Sequence, residues 1–546
     1  MYNVMSGKTK CIMKSFDSIK KYPVKYALLF LLCAVSTIMQ IILPIQMSKL
    51  SKDVFNSEIG SLLKCFYIIL ALAILKFVVD FLFGHFDYYL SNKCLVDYQS
   101  EYVYRYLRKE YGKIRGDDFL YLAQRINNDI GVVMDYYIEQ IPYVVCRICK
   151  TIIIIVILCY NNITLGLLAA LSIAVTFIIY ALSKKKRYKL EKKRSEAFSS
   201  YLSFFGRRMS QVLEIKFGAH YEAIRNGFEE VGYTFVRNTV PVLNFKNGIS
   251  LLGATVNTAF LASFFLIAKL KFGSEGSAAL TGIIVLTLFY FQHIIEDTAY
   301  FLSFGGIRQQ YLVSKNRLSE LMQVEDDVDG EVIPKEIAEM SVNGIKFGFD
   351  DRRLFDNKTL TFDKGNVYGI VGSNGTGKST MLLLLLGILK PESGNIKWGG
   401  IDITKINRSE VLKKNIAVMS QSPIMLGKTI RENIFEDSGK SEIADEKLKK
   451  MLEFAMKKDR GLDYEVGSNG KNLSGGECQK VAIVRTFIKD AEVVILDEPT
   501  NALDKGSIEL LGEILADQKK NRIIIMVSHD EEILKACDVV YKLEKI

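Results

Sequence analysis

Nine consecutive residues, Gly372-Ser373-Asn374-Gly375-Thr376-Gly377-Lys378-Ser379-Thr380, have the composition of a phosphate cradle. They follow a short β-type run, Val367–Val371, and precede an apolar helical run, Met381–Leu389. That is the strand–loop–helix setting in which G-x-x-x-x-G-K-[ST] carries meaning. Glycines let backbone N–H groups close around phosphate oxygens, and the following helix aims its positive end at them. Lys378 is placed to reach β- and γ-phosphates, and Ser379 to offer a hydroxyl to Mg²⁺. A second apolar run, 492–496, ends in Asp497-Glu498. Asp497, at a strand end beside the loop, can hold Mg²⁺, and Glu498 can polarise an attacking water. Alone, an acidic pair after a strand reads as a surface turn; next to a phosphate loop it reads as catalytic.

These residues sit in the second of two unlike halves. The chain has 546 residues, 49% of them apolar and 24% charged, with a net charge of +10. The long apolar runs fall within residues 1–330, whereas 340–546 reads as a soluble α/β domain. A disordered, collagenous or disulfide-framework protein is excluded. Nine cysteines at irregular spacing are expected as free thiols, and four histidines leave little for a histidine-rich metal site. Cys146-x-x-Cys149 lies in an apolar helical run without a second pair and reads as packing.

A membrane-spanning helix needs about 20 mainly apolar residues. Six stretches qualify: Tyr26–Met47, Leu62–Phe83, Ile141–Tyr160, Ile163–Leu182, Ile249–Leu270 and Ala278–Asp297. The first has too long an apolar run for a cleaved signal peptide and no small-residue cleavage site. Basic residues crowd the N-terminus and Lys184–Arg194, whereas the alternate connections are short and weakly charged. Positive-inside bias therefore puts both termini and the two long connections in the cytoplasm. The basic run reads as a solvated helix face beside anionic lipid, and nucleic-acid binding is not expected. Helical rhythm continues through 97–107 and 191–215, so the helices should extend well past the lipid. Pro44 should kink the first helix, Pro142 and Pro241 should mark helix starts, and Glu325–Gly330 with Pro334 should form a linker.

Leu473-Ser474-Gly475-Gly476-Glu477 lies upstream of the Asp497-Glu498 strand end. With the phosphate loop, it makes residues 341–546 resemble the nucleotide-binding domain of ATP-binding cassette (ABC) transporters. The resemblance implies roles for further residues. Phe349, where tyrosine is commoner, would stack on adenine. Gln421 would sense Mg²⁺ and the membrane domain. Ser474, Gly475, Gly476 and Glu477 would be the signature that binds ATP, Ala502-Leu503-Asp504 would touch the opposite subunit, and His529 would contact the γ-phosphate. Glu465-Val466-Gly467 resembles a cross-talk segment, although Ser468-Asn469 departs from the usual Glu-Arg. The helical subdomain between Gln421 and Leu473 looks short. Ser474–Gly476 precede a predicted helix, 479–488, and would form a second anion site. One chain can hardly fold that site over its own phosphate loop, so two chains head to tail would sandwich ATP.

The membrane half resembles the six-helix exporter type, with 116–129 and 214–218 as coupling helices. The implied fold class is a membrane all-α six-helix domain plus an α/β P-loop NTPase domain. The domains would be a cytoplasmic segment (1–22), the transmembrane domain (23–322), a linker (323–340) and the nucleotide-binding domain (341–546). The first segment is too short for the cysteine peptidase of some peptide exporters, so leader cleavage is not expected. The complete motif set fits a homodimer, and a heterodimer with a second half-transporter also fits.

Polar residues inside spanning helices are costly and often face a cavity or a partner. Lys76, Asp80, Arg147, Asn257, His293 and Glu296 are the candidates for a substrate path, with Lys150 and Asp297 near them in sequence. Each has a plainer explanation. Lys76 and Asp80 can pair along one helix face, Arg147 and Lys150 can snorkel, and Glu296 and Asp297 can mark the inner membrane edge. The expected activity is ATP-driven export of a peptide, lipid or amphipathic compound. An importer on the same fold and a non-transporting membrane ATPase are the alternatives. Rich Lys, Ile and Asn usage points to a bacterial plasma membrane.

Overall fold

A computed structural model describes residues 21–56, 59–116, 119–272, 277–349, 352–435, 451, 453–454, 461–467 and 470–545. Residues 1–20, part of the expected helical subdomain and Ser468-Asn469 lie outside the described residues. The chain divides into two compact units. One comprises Met1–Arg108 and Gly116–Val324; the other comprises Lys109–Arg115 and Glu325–Ile546.

The first unit is helical. Its elements are α1 (Pro23–Asn56) and α2 (Ile59–Leu107), then α4 (Phe119–Asp135), which runs through a π-turn at Tyr136–Gln140 into α5 (Ile141–Asn161). They are followed by α6 (Ile163–Ser210), α7 (Val212–Gly218), α8 (Tyr221–Phe272) and α9 (Ser277–Met322). Among the described residues, five helical stretches are long and apolar enough to cross a membrane: Pro23–Val54, Ile59–Leu107, Arg125–Asn161, Ile163–Met209 and Tyr221–Ile267. The sixth predicted stretch lies within α9. Exposed Phe77, Phe81, Val156 and Leu266 show that these helices turn apolar side chains outward, as lipid-facing surfaces do. At 1.5 Å per residue, the 48 residues of α6 reach about 72 Å, more than twice the roughly 30 Å hydrocarbon core.

Two sequence expectations need correction here. Pro241 does not start a helix but lies inside α8, as Pro44 lies inside α1. In the first connection, most of 116–129 belongs to the long helix α4; the short helix is α3 (Tyr111–Ile114), which belongs to the second unit. In the second connection, α7 carries 214–218 and is closed by Ala219 in the left-handed region (φ 49°). Among the described residues no cysteine forms a disulfide; Cys33, Cys94 and Cys146 are buried, while Cys149 is exposed on α5. No cluster of three metal-ligating side chains occurs among the described residues.

The second unit contains two sheets. Strands β1 (Glu339–Phe349), β2 (Arg352–Asp363), β4 (Ser393–Trp398) and β5 (Ile401–Asp402) form an antiparallel sheet in the order β2-β1-β4-β5. Strands β3 (Val367–Val371), β6 (Ile416–Met419), β7 (Val493–Asp497), β8 (Ile523–Val527) and β9 (Val539–Lys542) form a parallel sheet in the order β6-β7-β8-β3-β9. Both faces of β3, β7 and β8 are buried, which explains their unbroken apolar runs. Helices α10 (Lys378–Leu385), α11 (Arg408–Lys414), α12 (Ile430–Ile434), α13 (Gly475–Ile488), α14 (Lys505–Gln518) and α15 (Glu531–Leu534) complete the unit.

The segment expected as a linker is pinned along this unit. Arg408, itself buried, donates to Asp327 and to the Gly387 carbonyl, and Gly330 N–H donates to Ile406 O at 2.9 Å. Beneath the antiparallel sheet, Trp398 is fully buried and its indole N–H donates to Leu385 O at 2.9 Å. Trp398→Ala should cost this unit about 3–5 kcal/mol. That should appear as a clear drop in the apparent melting temperature of the detergent-solubilised protein, with Trp398→Phe milder. Equal melting of the alanine variant and the parent would refute this packing role.

Candidate functional site

The parallel sheet gathers the chemistry at one edge. Gly372 follows β3, Gln421 follows β6, Asp497 ends β7 and His529 follows β8, so all four lie at the C-terminal ends of their strands. Parallel strands joined by helices open their ligand crevice at this edge. β7 does not adjoin β3, since β8 lies between them. The convergence survives because the loop curls across: Ser379 Oγ comes within 3.5 Å of Asp497 Oδ1.

The phosphate loop is bonded to its own lysine. Lys378, at the first turn of α10, donates to Gly372 O at 2.9 Å and to Ser373 O at 3.4 Å. Thr376 donates to Ser373 O at 3.0 Å. Gly377 caps α10 with φ 93°, and a β-carbon there would meet the Phe355 ring at 2.7 Å, so glycine is required. Asn374, Gly375 and Thr380 complete the loop.

Asp497 and Glu498 sit in a low-dielectric setting. Burial raises the carboxyl pKa of Asp497, opposed by the Ser379 hydroxyl and the Lys378 charge. Burial also raises that of Glu498, opposed by His529 and Lys378. Glu498 is 8% exposed and adopts φ 53°, a left-handed backbone rare for a residue with a side chain. Its N–H is tied to Val527 O at 2.9 Å, which fixes it against β8. His529 Nε2 lies 3.4 Å from Glu498 Oε1. The hydroxyl and carboxylate of Ser379 and Asp497 are the hard oxygen donors that suit Mg²⁺, and a cation there would reverse the cost of burying the carboxylates.

The signature residues occupy a helix start. Ser474 is the N-cap of α13, accepting from Glu477 N–H, while the Glu477 carboxylate accepts from Ser474 N–H at 2.7 Å. Ser474 and Gly475 are exposed, whereas Glu477 is buried in that cap. A β-carbon on Gly476 would lie 2.5 Å from Ala502 O, so the signature helix packs directly on the Ala502-Leu503-Asp504 loop. Asp504 in turn caps α14 through Ser507 N–H at 2.8 Å. Phe349 stands at the end of β1, with the Phe347 ring edge-on at 4.8 Å. Gln421 is exposed just beyond β6, whose Met419 registers with Leu496 of β7.

Gln479 was not among the sequence candidates. Buried on α13, it donates from Nε2 to Glu498 O at 2.9 Å and accepts from Ala502 N–H at 2.8 Å. It therefore links the signature helix to both the Glu498 backbone and the loop beyond it. Its only signal in sequence was a polar residue leading into the apolar run Val481–Val484. Gln479→Leu should leave two buried backbone groups unpaired, about 1–3 kcal/mol each. ATP hydrolysis should fall several-fold while ATP affinity holds; unchanged turnover would show that the link does not position Glu498.

The membrane candidates do not converge. Lys76 and Asp80 pair along α2, and Asp80 also accepts from Ser36. Arg147 reaches Asp297 at 2.8 Å and lies over the Tyr300 ring at 4.6 Å. Asn257 is buried on α8, and His293 Nδ1 is 3.5 Å from the exposed carboxylate of Glu296. Asp297, fully buried, also meets Lys150 and Thr151, both at 2.9 Å, while Lys150 donates to Gln40 at 2.8 Å. Thus Asp297 is paired between helices with Arg147 and Lys150, whose charged ends both meet it. A cavity of 720 Å³ in this unit has Arg125, Asp129, Arg194, Arg317 and Glu320 in its lining and none of the six path candidates. Asp297→Asn would strand two cations, and breaking such a buried pair costs about 3–5 kcal/mol. It should lower folded yield and melting temperature in detergent, while Glu296→Gln leaves both near the parent. Parent-like melting of Asp297→Asn would show that the cluster is not structural.

Residues 355–501 match the ABC transporter family. A "probable ABC transporter ATP-binding/permease protein" of Haemophilus influenzae is 32% identical over 242 residues, covering 43% of this chain and 44% of the relative. An "ABC multidrug transporter" of Aspergillus fumigatus is 30% identical over 309 residues, covering 54% of this chain and 39% of the relative. Each of these matches spans less than half of the relative's own length. A solved bacterial Atm1-family ABC exporter with ATP bound superposes with a TM-score of 0.80 at 19% identity, covering 96% of this chain and 94% of the other. That likeness extends through the helical unit, and it establishes the fold. Residues 355–501 thus carry the domain of the ABC transporter family, and the chain as a whole has the fold of an ABC exporter, a helical unit joined to one nucleotide-binding unit.

Proposed function

We propose that the protein hydrolyses ATP to drive export of a substrate across a bacterial plasma membrane, with both termini cytoplasmic, and that it acts as a dimer, most simply a homodimer. The observation that carries this reading is the approach of His529 to Glu498 (3.4 Å) at the strand edge where Ser379 meets Asp497 (3.5 Å). Here Lys378 and the loop N–H groups bind the β- and γ-phosphates. Ser379, Asp497 and Gln421 would hold Mg²⁺, which when bound neutralises charge on the phosphate oxygens. Glu498, fixed by its backbone bond to Val527, orients the attacking water and draws its proton. His529 steadies the γ-phosphate and the Glu498 carboxylate together.

The exposed Ser474 and Gly475 offer an anion site with no phosphate loop of their own. In a head-to-tail pair they would close over the partner's ATP, with Ala502-Leu503-Asp504 alongside. Nucleotide then joins the two chains and hydrolysis releases them, which supports alternating access in the membrane domain. The name of the fungal relative favours amphipathic compounds among the substrate classes, with peptides and lipids also compatible.

Glu498→Gln should retain ATP binding yet lose hydrolysis by about 100-fold or more, the usual worth of a positioned general base. Hydrolysis at the parental rate would remove Glu498 from the catalytic role. In inside-out vesicles, ATP added outside should drive substrate into the lumen. Movement outward would identify an importer, and ATP turnover without flux of any tested compound would point to a switch.

A further inference from the structure

The aromatic expected to receive the base already carries a stacked partner. The guanidinium carbon of Arg115 lies 3.4 Å from the centroid of the Phe349 ring, which is the separation of a stacked base. Phe347 meets the same ring edge-on, so Arg115 covers a face that is otherwise available for stacking. A second guanidinium borders this place: Arg352 donates from Nη2 to Gly375 O at 2.9 Å, across the phosphate loop. Arg115, Phe349, Arg352, Gly375, Gly377 and Thr380 all line one open cavity of 660 Å³. It therefore runs from the stacking aromatic to the phosphate loop.

Arg115 ends a segment, Lys109–Arg115, that interrupts the helical unit in sequence and packs with the nucleotide-binding unit. The segment is anchored from its other end. Lys109 pairs with Asp326 at 2.6 Å, Lys113 pairs with Glu325 at 2.8 Å, and Glu110 N–H donates to Glu325 O at 3.0 Å. Glu110 also meets Lys390 at 3.6 Å. These bonds hold the backbone of the segment in place and leave the Arg115 side chain as the part that can move.

We propose that Arg115 occupies the place of the nucleotide base on Phe349 and must vacate it when ATP binds. Resting on the reading of Phe349 as the base-stacking residue, this makes Arg115 a determinant of nucleotide affinity. The base and the guanidinium compete for one ring face. By reciprocity, ATP loosens the grip of Lys109–Arg115 by the same factor that Arg115 weakens ATP. The segment joins two long helices of the membrane domain in sequence, so nucleotide occupancy is reported to it through one side chain.

The test is ATP affinity in the full-length, detergent-solubilised protein, read by displacement of a ribose-labelled fluorescent ATP analogue. An exposed cation–π contact predicts that Arg115→Ala binds ATP about two- to fivefold more tightly. Arg115→Lys, which keeps the charge without the planar stack, should tighten ATP too. Tripolyphosphate, which has no base, should bind Arg115→Ala no more tightly than the parent. ATP bound equally or more weakly by Arg115→Ala would overturn the proposal, since a sandwiching arginine would strengthen the base contact. Phe349→Ala separates the two levels of the argument. Unchanged ATP affinity in Phe349→Ala would refute the base-stacking reading itself, whereas weakened affinity without tightening in Arg115→Ala would refute only the competition.

Discussion

The bond from the Lys378 ammonium to the carbonyls of Gly372 and Ser373 is the constraint on which the nucleotide site depends. It draws a buried cation against the carbonyls at the start of the loop. Gly377 makes the shape of the loop possible, because a side chain there would strike Phe355. A phosphate arriving at the loop finds both donors and charge already in position, with little reorganisation left to do. Ser379, one residue further on, is delivered to Asp497 by the same turn of helix.

The rest of the second unit serves to bring other groups to that loop. A parallel sheet places the ends of β3, β6, β7 and β8 at one edge, although Gly372 and Asp497 lie more than a hundred positions apart in sequence. Burial of β7 and β8 makes the position of Glu498 rigid, and its left-handed backbone persists because Val527 and Gln479 hold it on both sides. Gln479 extends that rigidity to the signature helix, so the helix start that would meet a partner's nucleotide is mechanically tied to the carboxylate that would hydrolyse its own chain's nucleotide.

In the helical unit the balance differs. Outward apolar side chains contribute little specificity when the surroundings are lipid, so packing and internal polar contacts must define how the helices pair. The cluster of Arg147, Lys150, Thr151 and Asp297 joins α5 to α9, with Gln40 adding α1. Asp297 there meets two cations and a hydroxyl in a fully buried position, which is the geometry that makes a buried carboxylate tolerable.

Much was legible from sequence alone. Apolar stretches, the helical rhythm through 97–107 and 191–215, and the strand–loop–helix around Gly372–Thr380 are local patterns, and local patterns survive folding because neighbours in sequence remain neighbours in space. The cap of α13 was legible for the same reason: Ser474 and Glu477 satisfy each other within one turn. Pro241 misled because a proline inside a long helix looks in sequence like a helix start. What only the tertiary structure decided were contacts between distant residues. They include the insertion of β8 between β3 and β7, the double bond of Gln479, the burial of Asp297 between two cations, and the stacking of Arg115 on Phe349. None of these leaves a periodic trace, because each depends on which strands pair and which helices pack, and those choices are settled by the summed burial of whole elements rather than by any one residue.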